Sequence, residues 1–257
     1  MLTVGSLFSG IGGFDLGLER AGMQVKWQVE IDPYCLKVLE KHWPHVRRYT
    51  DIKTVDWSTI EPVDLVCGGF PCQPVSVAGK RKGTADERWL WPEFVRCLGI
   101  LRPRYILIEN VPGLLTANDG LAFAEVLRDV AACRYDAEWS SACAGAFGLP
   151  HVRERVWIFA YSASKRWDIF TSQSRSSSFD QSKLLQAHKS SGYRWQRKNG
   201  GHSVESVGWS IEPAIRGSHD GIPDELDKAR VHAIGNSIVP QIVTWIGRQI
   251  IHADAGR

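Results

Sequence analysis

An alternation of short apolar runs with helical patterns constrains this chain more than any other feature. "LTVGSLF" reads as a strand and "FDLGLERAG" as a helix closed by Gly22. "MQVKWQVEI" reads as a second strand. "DPYCLKVLEKHW" opens with Asp32 as N-cap and Pro33 at the first helical position, a start signal for a helix. "PVDLVCGGF" and "PRYILIENV" are further strands rich in β-branched residues, and "RVWIFAYS" reads as a late one. "RWLWPEFVRCLGIL" and "GLAFAEVLRDVAAC" supply helices between them. Strands that alternate with helices imply βαβ units, so the expectation is an α/β fold with a mostly parallel sheet covered on both faces. At 257 residues there is room for one good core and a smaller second lobe.

The pattern breaks after Tyr161. From Ser162 to about Lys228 the chain is rich in Ser, Gln and basic residues, with no sustained period, which suits an inserted lobe or a long loop. Between Tyr161 and Val204 eight basic residues stand against two acidic ones, a local net of +6 that leaves −3 for the rest of a chain whose total is +3. Such a segment is either a solvated charge run or a surface facing a polyanion. Order returns in "HAIGNSIVPQIVTWIGRQIIHA", where Ile238, Ile242, Val243, Ile246 and Ile250 approximate one helical face for the core. The six cysteines show no CxxC pair and no zinc-ligand spacing, so they read as reduced intracellular thiols and no metal is expected. No apolar stretch approaches a membrane span, and "MLTVGSLFSG" lacks a signal peptide's charged start, which reads against export.

Three places carry chemistry. "LFSGIGGFDLG" is a glycine-rich turn from strand to helix, where backbone can approach a ligand closely, although a plain tight turn explains it equally well. Glu30 ends the next strand, placed to take both ribose hydroxyls of a nucleoside cofactor, and Asp51 follows one unit later. "GGFPCQ" sets Cys72 at a strand end, where a nucleophilic thiol gains both a fixed position and access. Glu109 of "ENVPG" should emerge beside it from the neighbouring strand, while Arg153 and Arg155 of "HVRERVW" share one face if that stretch is extended. A thiol, a carboxyl and two guanidiniums at one sheet edge suit assisted nucleophilic attack on a heterocycle.

Taken together and in order, "LFSGIGGFDLGLERAG", "VEIDPYC", "GGFPCQPVSVAGKRKG", "IENVPGL", "GLPHVRERVWIFA" and "AIGNSIVPQI" resemble the motifs of the C5-cytosine DNA methyltransferase family, of the short bacterial or phage type. The resemblance spans nearly the whole chain outside the Ser-rich stretch. It implies a Rossmann-like sheet built from residues 1–161 and 229–257, and a small basic target-recognition lobe at 162–228. It further implies S-adenosylmethionine as methyl donor and a cytosine in double-stranded DNA as acceptor. Phe8, Gly10, Gly12 and Gly13 would line the cofactor pocket with Pro71. Glu30 would hold the ribose, Asp51 the adenine amino group, and Ile31 and Ile52 the adenine faces. Asn236 and Ser237 would close the pocket near the methionine part. Cys72 would be the nucleophile, Glu109 would hold N3 and the exocyclic amine, Arg155 the base carbonyl, and Arg153 the closed site or a phosphate. Gln73, Ser76, Lys80, Arg81 and Lys82 would contact DNA from a loop closing over a flipped-out base. A monomer in the cytoplasm of a prokaryote or phage-infected host, at the nucleoid, is implied, and any restriction endonuclease would be a separate chain.

The sequence departs from the family pattern in places. His151 stands where glutamine is frequent, and the stretch after Ser162 is short, with Thr171 its only threonine. An RNA (tRNA) cytosine methyltransferase of the same fold, or an inactive relative that binds DNA, would carry many of the same motifs. A nicotinamide-dependent dehydrogenase fits the alternation and Glu30 but leaves the thiol and both arginines idle.

Overall fold

A computed structural model describes residues 1–71, 89–149, 153–162, 193–198, 201–206 and 224–255. The elements in chain order are β1 (Thr3–Leu7), α1 (Gly13–Ala21), β2 (Gln24–Val29), α2 (Pro33–His42), β3 (Arg47–Tyr49) and β4 (Leu65–Gly68). Then come α3 (Trp91–Leu101), β5 (Tyr105–Asn110), α4 (Leu121–Ala132), β6 (Tyr135–Cys143) and β7 (Glu154–Ser162). A hairpin of β8 (Tyr193–Lys198) and β9 (Gly201–Ser206) forms its own sheet, and α5 (Asp224–Gly235) and α6 (Pro240–Ala255) follow. The helix start expected at Asp32 is present: its side chain accepts from the amides of Tyr34 and Cys35, both at 2.9 Å.

The main sheet has seven strands in the order β3-β2-β1-β4-β5-β7-β6. β3 to β5 are parallel throughout, as the alternation requires. The far edge is not: β7 runs antiparallel to β5, and β6 antiparallel to β7. Successive crossovers carry the chain from β1 out to β3 on one side and from β4 to β5 on the other. The order therefore reverses between β1 and β4, which opens a crevice at the carboxyl ends of those strands.

Two apolar layers cover the sheet, and strand alternation divides the residues between them. On one face Leu7, Val66, Ile106 and Ile108 pack with Trp27, Trp57, Trp91, Phe94 and Val126. On the other, Val4, Leu65, Cys67 and Leu107 pack with Phe14 and Leu18 of α1 and with Ile242, Val243, Ile246 and Ile250 of α6. The face expected from the C-terminal pattern is buried, with one correction. Ile238 is buried in the link before α6, because Pro240 begins the helix two residues later. No helix among the described residues is long and apolar enough to cross a membrane.

Helices α1 and α6 approach so closely that side chains are excluded at the contact. A Cβ on Gly17 would lie 2.5 Å from Val243 Cβ and 2.8 Å from the Pro240 carbonyl oxygen. One on Gly247 would lie 2.8 Å from Ala21 Cβ. Gly17→Ala should therefore destabilise the protein by about 1–3 kcal/mol through overpacking. Gly99→Ala, inside α3 with open space around it, should raise stability by about 0.5–1 kcal/mol. Urea unfolding of the two variants checks both signs.

Candidate active site

Strand ends position most of the described site residues, and the C-terminal segment supplies the rest. A cleft of about 570 Å3 opens at the crevice, lined among others by Phe8 and Gly10 after β1, Glu30 and Ile31 after β2, and Asp51 and Ile52 beyond β3. Gly69 and Pro71 after β4, Glu109 and Asn110 at the end of β5, Arg153 and Arg155 at the start of β7, and Asn236 after α5 complete it. The antiparallel direction of β7 matters here, since it brings the first residues of that strand to the edge where the parallel strands end.

Gly10 has positive φ and nothing within 4 Å of the position its Cβ would take, so the turn leaves an open cradle. Phe8, also on the cleft wall, holds φ at 52°, a left-handed conformation uncommon for a bulky residue. Gly12 and Gly13 have a different task from the one expected. They are not among the residues lining the cleft. Their missing side chains make room for the Trp43 ring and for Ile238, whose carbonyl oxygen would lie 2.6 Å from a Cβ on Gly13. Ser237 is likewise absent from the cleft wall.

Glu30 does more than the sequence suggested. Its Oε2 accepts the Gly10 amide at 2.6 Å and its Oε1 the Asp32 amide at 2.7 Å. One carboxylate thus pins the glycine-rich turn and the start of α2 together, and each oxygen keeps a second lone pair for a ligand. Asp51 shows the same economy, with Oδ1 accepting the Lys53 amide at 2.9 Å. Beside these acids Ile31 exposes 67% of its surface, an apolar plate at the mouth. Apolar walls with two accepting carboxylates fit an adenosine-bearing cofactor. The open turn at Gly10 fits its close approach.

The other half of the cleft is built around a buried carboxyl. Glu109 is 7% exposed, and its Oε1 lies 3.0 Å from Arg155 Nε. Burial pushes its pKa up to about 7, against the opposing pull of Arg155 and Arg153. Gly69 leaves room for it, since a Cβ there would sit 3.0 Å from Glu109 Oε2. Arg153 turns instead to the C-terminal segment. Its Nη1 donates to the Gly235 carbonyl at 2.7 Å and its Nη2 to the Ser237 carbonyl at 2.8 Å, capping α5 with a cation where helix carbonyls are left unpaired. Asn110 and His232 were not anticipated as site residues. Asn110 Nδ2 donates to the Phe70 carbonyl at 3.2 Å and so anchors the chain entering Pro71. His232 lines the cleft and pairs with Asn236 across 3.0 Å. Cys72, Gln73, Ser76, Lys80, Arg81, Lys82 and His151 lie outside the described residues.

The chain is 34% identical over 229 residues to the type II methyltransferase M2.BsuMI of Bacillus subtilis, covering 86% of this chain and 58% of that protein. It is 36% identical over 156 residues to the type II methyltransferase M.NgoFVII of Neisseria gonorrhoeae, covering 60% and 42%. The chain thus spans about half the length of these relatives. The solved methyltransferase EhMeth of Entamoeba histolytica superposes with a TM-score of 0.64 over 98% of each chain at 18% identity, a likeness of fold. The sequence model of the C-5 cytosine-specific DNA methylases matches residues 2–204, and the chain belongs to that family.

Proposed function

We propose that the protein transfers a methyl group from S-adenosylmethionine to carbon 5 of a flipped-out cytosine in duplex DNA, through a transient bond between Cys72 and carbon 6. The observation that carries the reading is the buried Glu109 carboxyl, paired with Arg155 at 3.0 Å in a cleft shared with Glu30 and with Pro71, the residue directly before Cys72.

Phe8, Gly10, Glu30, Ile31, Asp51, Ile52 and Asn236 would hold the cofactor, which supplies an electrophilic methyl group when bound. Carbon 5 of cytosine is a weak nucleophile until a thiolate adds at carbon 6. Addition of Cys72 breaks the ring double bond and moves its electron pair towards carbon 5 and N3. Glu109, holding a proton near neutral pH, donates it to N3 while its other oxygen accepts from the exocyclic amine. Arg155 would face the base carbonyl oxygen. Once carbon 5 carries the methyl group, transfer of its proton to a water molecule expels the Cys72 thiolate and restores the ring. The N3 proton then returns to Glu109. The target carbon is inaccessible inside a duplex, so the base has to leave the stack. Lys80, Arg81 and Lys82 would supply phosphate-binding charge eight to ten residues after the nucleophile. The basic stretch at 162–228 would read the target sequence, and a cognate endonuclease would be a separate chain.

Cys72→Ala should abolish transfer of labelled methyl to duplex DNA while cofactor affinity persists. The wild type should form a covalent adduct with 5-fluorocytosine DNA, and preferential labelling of tRNA would instead favour the RNA reading. Glu109→Gln should lower kcat about 100-fold or more. The same variant tests the electrostatics. A folded pKa near 7 against an ordinary 4.5 means that this group favours the folded state fully below pH 4.5. That contribution is lost as pH rises through 7. Removing the ionisation should therefore raise stability at pH 8 relative to pH 4.5 by up to about 3 kcal/mol, read by urea unfolding at both pH values.

A further inference from the structure

Among the described residues two side-chain carboxyls are buried, Glu109 in the cleft and Asp15 in the core. Asp15 is the third residue of α1 and is fully buried, inside the otherwise apolar layer that holds Phe14, Leu18 and Cys67. Gln28 Nε2 donates to its Oδ1 at 2.9 Å and Ser6 Oγ to its Oδ2 at 3.2 Å. Arg48 stands one step removed, with Nη1 3.5 Å from Gln28 Oε1. Burial pushes the Asp15 pKa up to about 6, opposed by the Gln28 and Ser6 hydrogen bonds and raised a little further by Glu19. A carboxyl held in such a place is costly, and an apolar residue of similar size would fill the volume at lower cost. Packing alone does not explain it.

Its partners do. Ser6 belongs to β1, Asp15 to α1 and Gln28 to β2, and these elements carry the glycine-rich turn and Glu30. The contacts continue upward from the cluster. Ser9 Oγ donates to the Ser6 carbonyl at 3.1 Å, the Ser9 amide donates to the Val29 carbonyl at 3.1 Å, and the Gly10 amide meets Glu30 Oε2 at 2.6 Å. A continuous polar ladder thus runs from Asp15 at its base to Glu30 at the cleft mouth. We propose that Asp15 is a positioning residue, which through Ser6 and Gln28 sets the spacing of β1, α1 and β2 and so holds Gly10 and Glu30 where the cofactor's ribose is taken. The inference rests on the cofactor reading given above. An acceptor with two oxygens suits the task, because it draws one donor from each strand towards the helix between them.

Calorimetric titration of the full chain with S-adenosylhomocysteine tests the proposal. Asp15→Ala should raise Kd about tenfold, as expected when a binding group is misplaced by a fraction of an ångström. Asp15→Asn should restore affinity to near the wild-type value, since its amide can still accept from Gln28 and meet the Ser6 hydroxyl. Gln28→Met, which keeps the volume and removes the donor, should weaken binding in the same direction and serves if Asp15→Ala does not fold. Val130→Ala, a core truncation on α4, should lower the melting temperature and leave Kd unchanged. Wild-type affinity in Asp15→Ala or Gln28→Met overturns the proposal, as does equal weakening in Val130→Ala. Equal weakening by the alanine and asparagine variants also overturns it. A wild type that binds no S-adenosylhomocysteine overturns the cofactor reading itself, and this proposal with it.

Discussion

Parallel strands cannot be joined by tight turns, and this topological constraint governs the molecule. Each of β1, β2 and β4 must be followed by a crossover before the next parallel strand, so every one of them delivers its last residue to the same edge. The reversal between β1 and β4 leaves the turn after β1 and the segment after β4 facing one crevice instead of stacking helix against helix. Glu30, Glu109 and Pro71 meet there because each lies at or just beyond such an end. The antiparallel β7 joins them from the other direction, with its start at the shared edge.

Charge is handled in three distinct ways around this edge. Glu30 accepts hydrogen bonds from backbone amides of two turns, which leaves accepting capacity directed at the cleft. Glu109 is buried against guanidiniums, and desolvation outweighs their pull enough to keep a proton within reach at neutral pH. Asp15 is buried with neutral donors alone in hydrogen-bond contact. The same functional group thus serves as a clamp, as the proposed acid and as the proposed spacer, and its surroundings determine which.

Much of this was legible in the residues, for reasons of local physics. Strand alternation, the Asp32–Pro33 helix start and the carboxyl-end rule require no knowledge of distant partners, and they put Glu30, Glu109 and Pro71 at or beyond strand ends, where the cleft lies. The features that a local reading misses depend on long-range contacts. β6 carries Tyr135 and Trp139 among Asp, Glu and Ser, and it becomes a strand because β7 offers it an edge. Gly12 and Gly13 look like ligand-facing glycines until Trp43 and Ile238 arrive from far along the chain to occupy the space beside them. Ile238 fits the helical period of its neighbours, yet Pro240 fixes the start of α6 beyond it. The ladder from Asp15 to Glu30 joins residues of similar period on separate elements, and only the fold brings them into line.

The grip of Arg153 on the Gly235 and Ser237 carbonyls has a consequence for biogenesis. Those carbonyls are synthesised after all seven strands of the main sheet. A chain still emerging from the ribosome can pair its whole sheet and yet lack one wall of its cleft, because that wall arrives with α5 and Asn236 after it. Closure over more than two hundred residues, from α1 to α6, is the slow kind of contact to form. On the proposed reading, competence for cofactor binding would await this contact, and a prematurely terminated chain would carry the motifs without the enclosure around them.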